Sequence, residues 1–305
     1  MIIGHSGSLL TWWIFGWHIP IFFVLWGVLI SNRKQERFSH FVKHQSKSLL
    51  LPYIKLSLIN LVLYIPIAVR LGNHKDYWLY VMSLFLSNTN LQVMVGWTPL
   101  WFIPCMFLAR IFFYLVEYFM PKKIGFLAVF ILAYVTSRFT THIPWHANTA
   151  VAAALFIYVG YWSGGYLGAT KKSDNKRRMI CAMLMIFLSS VIIRMNGIVD
   201  MNSSLYGNYF LLFFLAASTM SVGILILVKC STLGRIWLFQ FLGRHSLLVM
   251  GYNQIINIYV HFFTKRITTD LHIEALLIIA ADLLTILILG MAIDYVRKNK
   301  GCAVL

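Results

Sequence analysis

The chain is short of charge, and shortest of negative charge. Of its 305 residues only nine are Asp or Glu, and all charged residues together make up 11%. A soluble domain carries about 25% charged residues, so there is too little polar side chain here to cover a water-facing surface. Cysteine is sparse too: Cys105, Cys181, Cys230 and Cys302 stand apart with no CxxC pair, which argues against a disulfide framework or a zinc site. No glycine-rich phosphate loop is present, which removes nucleoside-triphosphate chemistry. The MIIGHSG start has no basic region and no small-residue cleavage site, so no signal peptide is expected. No part of the second half echoes the first, which lowers the case for an inverted-repeat transporter.

What is abundant is apolar side chain: 60% of residues, with a mean hydropathy of +0.76. The composition predicts an all-α polytopic transmembrane helical bundle. A spanning helix needs roughly 20 mostly apolar residues. Nine stretches qualify, near 9–30, 49–69, 98–118, 124–139, 147–168, 179–195, 208–229, 237–262 and 273–294. The stretch 77–87 is too short to span and reads as an interfacial or re-entrant helix. All loops are short, so residues 1–305 read as a single transmembrane domain with its chemistry inside the bundle or at its mouths.

The net charge of +17 follows the loops. One alternating set holds seventeen Lys and Arg and the other holds six. By the positive-inside rule this puts the C-terminus in the cytoplasm of a multi-pass inner (plasma) membrane protein and residue 1 outside. The basic residues are therefore a topology signal, and no nucleic-acid partner is expected. Gly160, Gly164 and Gly168 recur every four residues, a pattern that lets a neighbouring helix come close.

Ionisable groups at membrane depth are costly and mark candidate sites. The bases are Lys55, Arg110 and Arg244; the acids are Glu117, Asp282 and Asp294. Lys55 and Glu117 have snorkelling to the interface as a sufficient explanation, and Arg110 has an ion pair with Glu117 or Asp282. Arg244 sits in a Gly-Arg-His-Ser break in the helical pattern, from Gly243 to Ser246. His5, His18, His142 and His146 all fall near the outer ends of their spans, where imidazole is suited to moving protons near neutral pH. The His142/His146 and His40/His44 pairs have i,i+4 spacing but no Glu beside the first His, and Pro144 interrupts the former; no metal site is expected. Trp12, Trp13, Trp78, Trp97, Trp101 and Trp145 map to the outer side, as an aromatic belt or as stacking surfaces for a sugar ring.

Six segments together resemble the acyltransferase-3 family of integral-membrane acyltransferases: GHS at 4–6, WHIPIFFVLWGVLI at 17–30, LLLPY at 49–53, PLWFIPCMF at 99–107, VDMNSSLYGN at 199–208 and FLGRHSLLVM at 241–250. Their order and spacing are similar to the fucose 4-O-acetylase-like branch across nearly the whole chain. The resemblance implies about ten helices, acetyl-CoA as a cytoplasmic donor with no bound cofactor, and a carbohydrate or polysaccharide hydroxyl as acceptor. It also implies functional histidines at His5 and His18. Two features depart from the pattern. The family has most of a helix before the GH pair, whereas this chain starts four residues before His5 and reads as truncated there. Related chains often carry a His where Asn253 stands.

The expected chemistry is acyl transfer from acyl-CoA. Lys55, Arg110 and Arg244 would attract the donor's phosphates, His5 or His18 would deprotonate the sugar hydroxyl, and Ser6, Trp101 and Asn148 are candidates to line the substrate and stabilise the oxyanion. A glycan or lipid-linked-intermediate transporter fits the composition equally well, and an inactive membrane subunit of a polysaccharide assembly complex is a third reading.

Overall fold

The computed structural model describes residues 2–31, 36–70, 77–87, 98–139, 143–168, 175–264 and 270–299. The chain is almost entirely helical, and seven of its helical segments are long and apolar enough to cross a membrane: Thr11–Ile30, Phe38–Arg70, Pro99–Phe119, Pro144–Leu167, Asn175–Asn196, Phe210–Cys230 and Leu271–Asn299. This is a polytopic helical bundle, as the composition requires. All nine expected stretches are helical, but two fall short of the spanning criterion. One, Lys122–Thr136, has only 15 residues. The other, near 237–262, is two helices that meet at His245.

The helices in chain order are α1 (Ile2–His5), α2 (Thr11–Phe15), α3 (Pro20–Ile30), α4 (Phe38–Gln45), α5 (Leu51–Arg70), α6 (Tyr77–Leu86), α7 (Phe102–Phe119) and α8 (Lys122–Thr136). They continue as α9 (Ala147–Gly168), α10 (Asn175–Asn196), α11 (Phe210–Cys230), α12 (Trp237–Arg244), α13 (Ser246–Thr264) and α14 (Leu271–Asn299). Between α10 and α11 sits one small antiparallel hairpin, β1 (Val199–Asp200) with β2 (Leu205–Tyr206), pairing Val199 with Tyr206 and Asp200 with Leu205.

Helix α9 is the central post. Its residues Ala152 to Tyr158 are all buried, and α3, α7, α8 and α11 pack on it. Lipid tails are as apolar as Leu, so burial alone does not drive helices together in a membrane; close packing does. Gly27 of α3 and Gly160 of α9 supply it. A Cβ on Gly160 would lie 1.9 Å from the Val24 carbonyl oxygen, and one on Gly27 would lie 2.1 Å from that of Ile157. Gly164 likewise makes room for Ser31, whose Oγ would meet an added Cβ at 2.1 Å. The glycine step on α9 is thus a backbone-to-backbone contact with α3.

A second group is formed by α13 against α14 and α5, and α1 packs on both α13 and α14. The four-residue α1 therefore sits where the two groups meet. Helices α4 and α5 run on through a π-helical turn, Ser46–Leu50, giving 33 residues from Phe38 to Arg70. At 1.5 Å per residue that is about 50 Å, well beyond a hydrocarbon core of about 30 Å, so the polar α4 end must project from it. Helix α6 is the short helix expected at 77–87. Its ten residues reach about 15 Å, and Tyr53 of α5 donates to the Leu84 carbonyl at 2.5 Å.

Candidate active site

Pro20 opens α3 at its first turn, where its missing N–H leaves no partner unsatisfied. The turn before it, residues 16–19, carries His18 into the bundle. His18 is buried, and its Nδ1 lies 2.9 Å from the Ile14 carbonyl. A carbonyl only accepts, so Nδ1 carries the proton and the neutral ring keeps its lone pair on Nε2. The His5 ring lies 5.9 Å from the His18 ring, edge to face. Phe15 touches both, at 5.4 Å from His5 and 5.1 Å from His18. Asn257 of α13 donates to the His5 carbonyl at 2.8 Å, which ties α1 to the second helix group. Burial pulls the His5 imidazole down from its ordinary 6.5 to about 4, and the positive charge at the amino end of the chain adds to this. It is neutral at physiological pH.

His5 borders two cavities. One, of about 170 Å³, is shared with His18 and walled by Phe15, Trp101, Asp200 and Asn202. The other, of about 320 Å³, lies on the α13–α14 side, with Ser6, Gln254, Asn257, His261 and Glu274 among its lining. The hairpin wall of the first cavity is built with care. Asn196 donates to the Tyr206 carbonyl and accepts from the Tyr209 N–H, each at 2.8 Å. Asp200 accepts from the Asn202 N–H at 3.0 Å and the Ser203 hydroxyl at 2.6 Å, an Asx-type turn. Asn148 donates to the Ser204 hydroxyl at 2.8 Å, and Thr149 to the Met201 carbonyl at 3.1 Å. Gly207, at φ +74°, stands where a Cβ would meet the Asn196 amide at 2.3 Å.

A third cavity, of about 540 Å³, occupies the other end of α3 and α7, around Trp26, Gln45, Arg110, Tyr114, Glu117 and Lys122. Arg110 donates to Gln45 Oε1 at 2.7 Å, and its guanidinium lies 4.8 Å from the centre of the Trp26 ring. Gln45 arrives from the last turn of α4, just before the π-helical turn, a distortion that recurs at functional sites. Nine residues of helix separate Trp101 from Arg110, so the histidine and arginine cavities lie about 14 Å apart along α7.

A family model described as an acyltransferase domain, that of the acyltransferase-3 family, matches residues 1–293. The chain belongs to the acyltransferase-3 family. No curated protein and no solved structure gives a significant match. The family makes this chain a multi-pass membrane enzyme, an acyltransferase.

Within the acyltransferase, the expected site residues divide sharply. His5, His18 and Trp101 share one cavity, and Trp101 is buried there, its ring tilted against that of His146 with centroids 4.8 Å apart. Ser6 lines the cavity on the other side of His5, but its hydroxyl is spent on the Ile3 carbonyl at 2.9 Å. Asn148 supports the hairpin and lines none of the three cavities. Arg110 is in the third cavity, but not as the expected ion pair. Among the described residues it pairs with neither acid: Asp282 receives the Asn253 amide instead. Lys55 and Arg244 are exposed and line none of the three cavities, so neither joins Arg110. The expected break at Arg244 is real, yet its buried member is His245, whose Nε2 is 3.2 Å from Asp294. Lys55 is consistent with snorkelling. His142 and Trp97 lie outside the described residues.

Sequence reasoning missed Gln45, Asp200, Asn202, Gln254, Asn257, His261 and Glu274. The 199–208 segment did carry a signal, as part of the family resemblance. Gln254, Asn257 and His261 carried another: they recur at helical spacing in a stretch that was read only as apolar.

Proposed function

We propose that this acyltransferase moves an acetyl or similar small acyl group from acyl-CoA to a hydroxyl of a cell-surface or exported carbohydrate, in the manner of the fucose 4-O-acetylase-like branch. In this reading it resides in the plasma (inner) membrane with its C-terminus in the cytoplasm. One observation carries the acyl-transfer reading: a cavity holding Arg110 and Lys122 beside Glu36 and Glu117, and a histidine cavity, sit at opposite ends of the same two helices, α3 and α7. The arginine end adjoins Lys122 and α4, where the basic loops cluster, which favours the cytoplasm.

The steps follow from the residues. Arg110 and Lys122 attract the phosphates of the donor, and the low-dielectric walls of Trp26, Phe41 and Phe113 strengthen that attraction. The thin pantetheine arm reaches along α3 and α7 toward the histidines. There the acceptor oxygen attacks the thioester carbonyl carbon while Nε2 of His18, or the neutral ring of His5, takes the hydroxyl proton. The tetrahedral intermediate collapses with loss of the C–S bond. The thiolate recovers a proton from the imidazolium, so the products are ester and free CoA thiol with the enzyme unchanged. A positioned base of this kind supplies about 10²–10⁴ in rate. The buried Ile14 carbonyl fixes the tautomer that makes His18 a base.

The test is acetyl transfer by purified protein, with radiolabelled acetyl-CoA, a panel of glycans, and His5→Ala and His18→Ala beside the parent. Label should enter glycan with the parent and fall at least a hundredfold with the variant that removes the base. If the parent never consumes thioester, the acyl-transfer reading fails and a transport role replaces it.

A further inference from the structure

The cleft between α13 and α14 carries a polar stripe that the steps above leave unused. Helix α13 has 19 residues, long enough to span, yet it falls short of the hydropathy of the seven spanning segments. Part of the deficit lies on one face: Gln254, Asn257 and His261 sit at i, i+3 and i+7, and all three line the cavity of about 320 Å³ beside His5. Glu274 of α14 faces them and pairs with His261 Nδ1 through Oε1. Glu274 is 14% exposed and His261 49%, so the carboxylate is the inner member of the pair.

This lining has a definite chemistry. Among the described residues it holds the carboxylate of Glu274 and no Lys or Arg, a balance that disfavours the phosphates of CoA or an anionic sugar. Its hydrogen-bonding groups alternate with Ile258 and Ile278, matching a ligand with hydroxyls on its rim and C–H on its faces. Asn257 is buried, and its Oδ1 has no hydrogen-bond partner. The same Asn257 holds the His5 backbone by its amide nitrogen, so this side chain joins the cleft to the histidine.

We propose that this cleft is the acceptor subsite. It takes a neutral sugar with its reacting hydroxyl toward His5, while Glu274 and Gln254 read the neighbouring hydroxyls, His261 holds Glu274 in place and Asn257 positions His5. The assignment rests on the acyl-transfer reading, and it divides the work around His5: acceptor on the α13–α14 side, acyl donor on the Trp101 side.

The experiment uses the purified full chain, parent and Glu274→Gln, with methyl glycosides of fucose, rhamnose, galactose and glucuronic acid at saturating acetyl-CoA. The KM for a neutral glycoside should rise tenfold or more in the variant, with kcat and the KM for acetyl-CoA within about threefold, and the parent should disfavour the glucuronide. A glycoside KM within twofold of the parent, or an equal rise in the KM for acetyl-CoA, overturns the subsite. If Glu274→Gln fails to fold because it loses His261, Gln254→Leu breaks no ion pair and is judged by the same ratio. Saturation-transfer NMR of the same glycosides needs no turnover and separates the two proposals. Neutral glycosides bound by the parent and by His5→Ala but not by Glu274→Gln keep the subsite even if no acetyl moves. Absence of binding to the parent at tens of millimolar rejects it.

Discussion

Gly160→Ala adds one methyl group to the tightest helix contact in the bundle, and its effect should reach the histidines. The new Cβ would lie 1.9 Å from the Val24 carbonyl oxygen, 2.7 Å from its carbon and 3.0 Å from its Cα. All three are backbone atoms, so no rotamer change can make room. Ordinary contact begins near 3.4 Å, so α3 must retreat from α9 by roughly 1.5 Å at Val24. His18 lies six residues before Val24 on the same segment and must move relative to His5, which is held from the other side by Asn257. Overpacking of this kind costs about 1–3 kcal/mol, and a misplacement of about 1 Å can cost 10²-fold in rate. The assays are thermal unfolding of the purified protein in detergent and acyl transfer at saturating donor. Gly165→Ala is the internal control: same helix, next turn, with nothing within 4 Å of the added Cβ. The reasoning is refuted if Gly160→Ala matches the parent in both assays, or if Gly165→Ala is equally damaging.

Three further outcomes follow from the same geometry. If His5 is the group that takes the proton, its depressed pKa keeps the base neutral through the physiological range, so kcat/KM should fall only as pH drops through about 4; an acid limb centred at 6.5 would reject His5 as the base. The sign for stability is the same, because the unfolded chain binds the proton first: stability should decline as pH falls from 6.5 toward 4 and stay flat above 6.5. Arg110→Met should raise the KM for acetyl-CoA at least tenfold, given about 1.5–3 kcal/mol for a hydrogen bond to a charged group, and should weaken the salt dependence of CoA binding, with Lys122 supplying what remains; an unchanged salt dependence would place the phosphates elsewhere.

Much of the fold was legible in the sequence because a helix in lipid announces itself by hydropathy alone. Seven of the nine expected spans, the short helix at 77–87 and the Gly160/Gly164 contact could be read this way. What hydropathy does not report is which way a side chain faces. Arg110 on α7 turns into the bundle while Lys55 on α5 and Arg244 on α12 turn out of it, and the charge of the three residues is the same. The partner of Arg110 was equally hidden, since Gln45 comes from 65 residues away and is presented beside a π-helical turn that no local pattern encodes. The hairpin is a tertiary product: two-residue strands have too little alternation to read, and Asn196, Asn148 and Thr149 hold them from neighbouring helices. His5 and His18 were each visible, but their pairing depends on the turn at 16–19 folding one toward the other.

The distribution of polar atoms argues for chemistry at both ends of the bundle. A membrane helix keeps a polar side chain only where a partner or a cavity meets the cost of desolvation. Mid-bundle amides here donate to protein, Asn60 to the Leu56 and Gly251 carbonyls at 3.0 and 2.6 Å and Asn253 to Asp282, while Oδ1 of Asn60, Asn253 and Asp282 stays buried with no partner among the described residues. At the two ends the bundle opens instead, onto cavities beside Arg110 and beside His5. A pore would need its polar groups to continue from one mouth to the other. In this bundle the stretch between them, along α3, α7 and α9, is walled by Phe23, Phe102, Ile103, Met106 and Phe156. These side chains are packed to within a few per cent of full burial, so no polar path joins the two mouths through them.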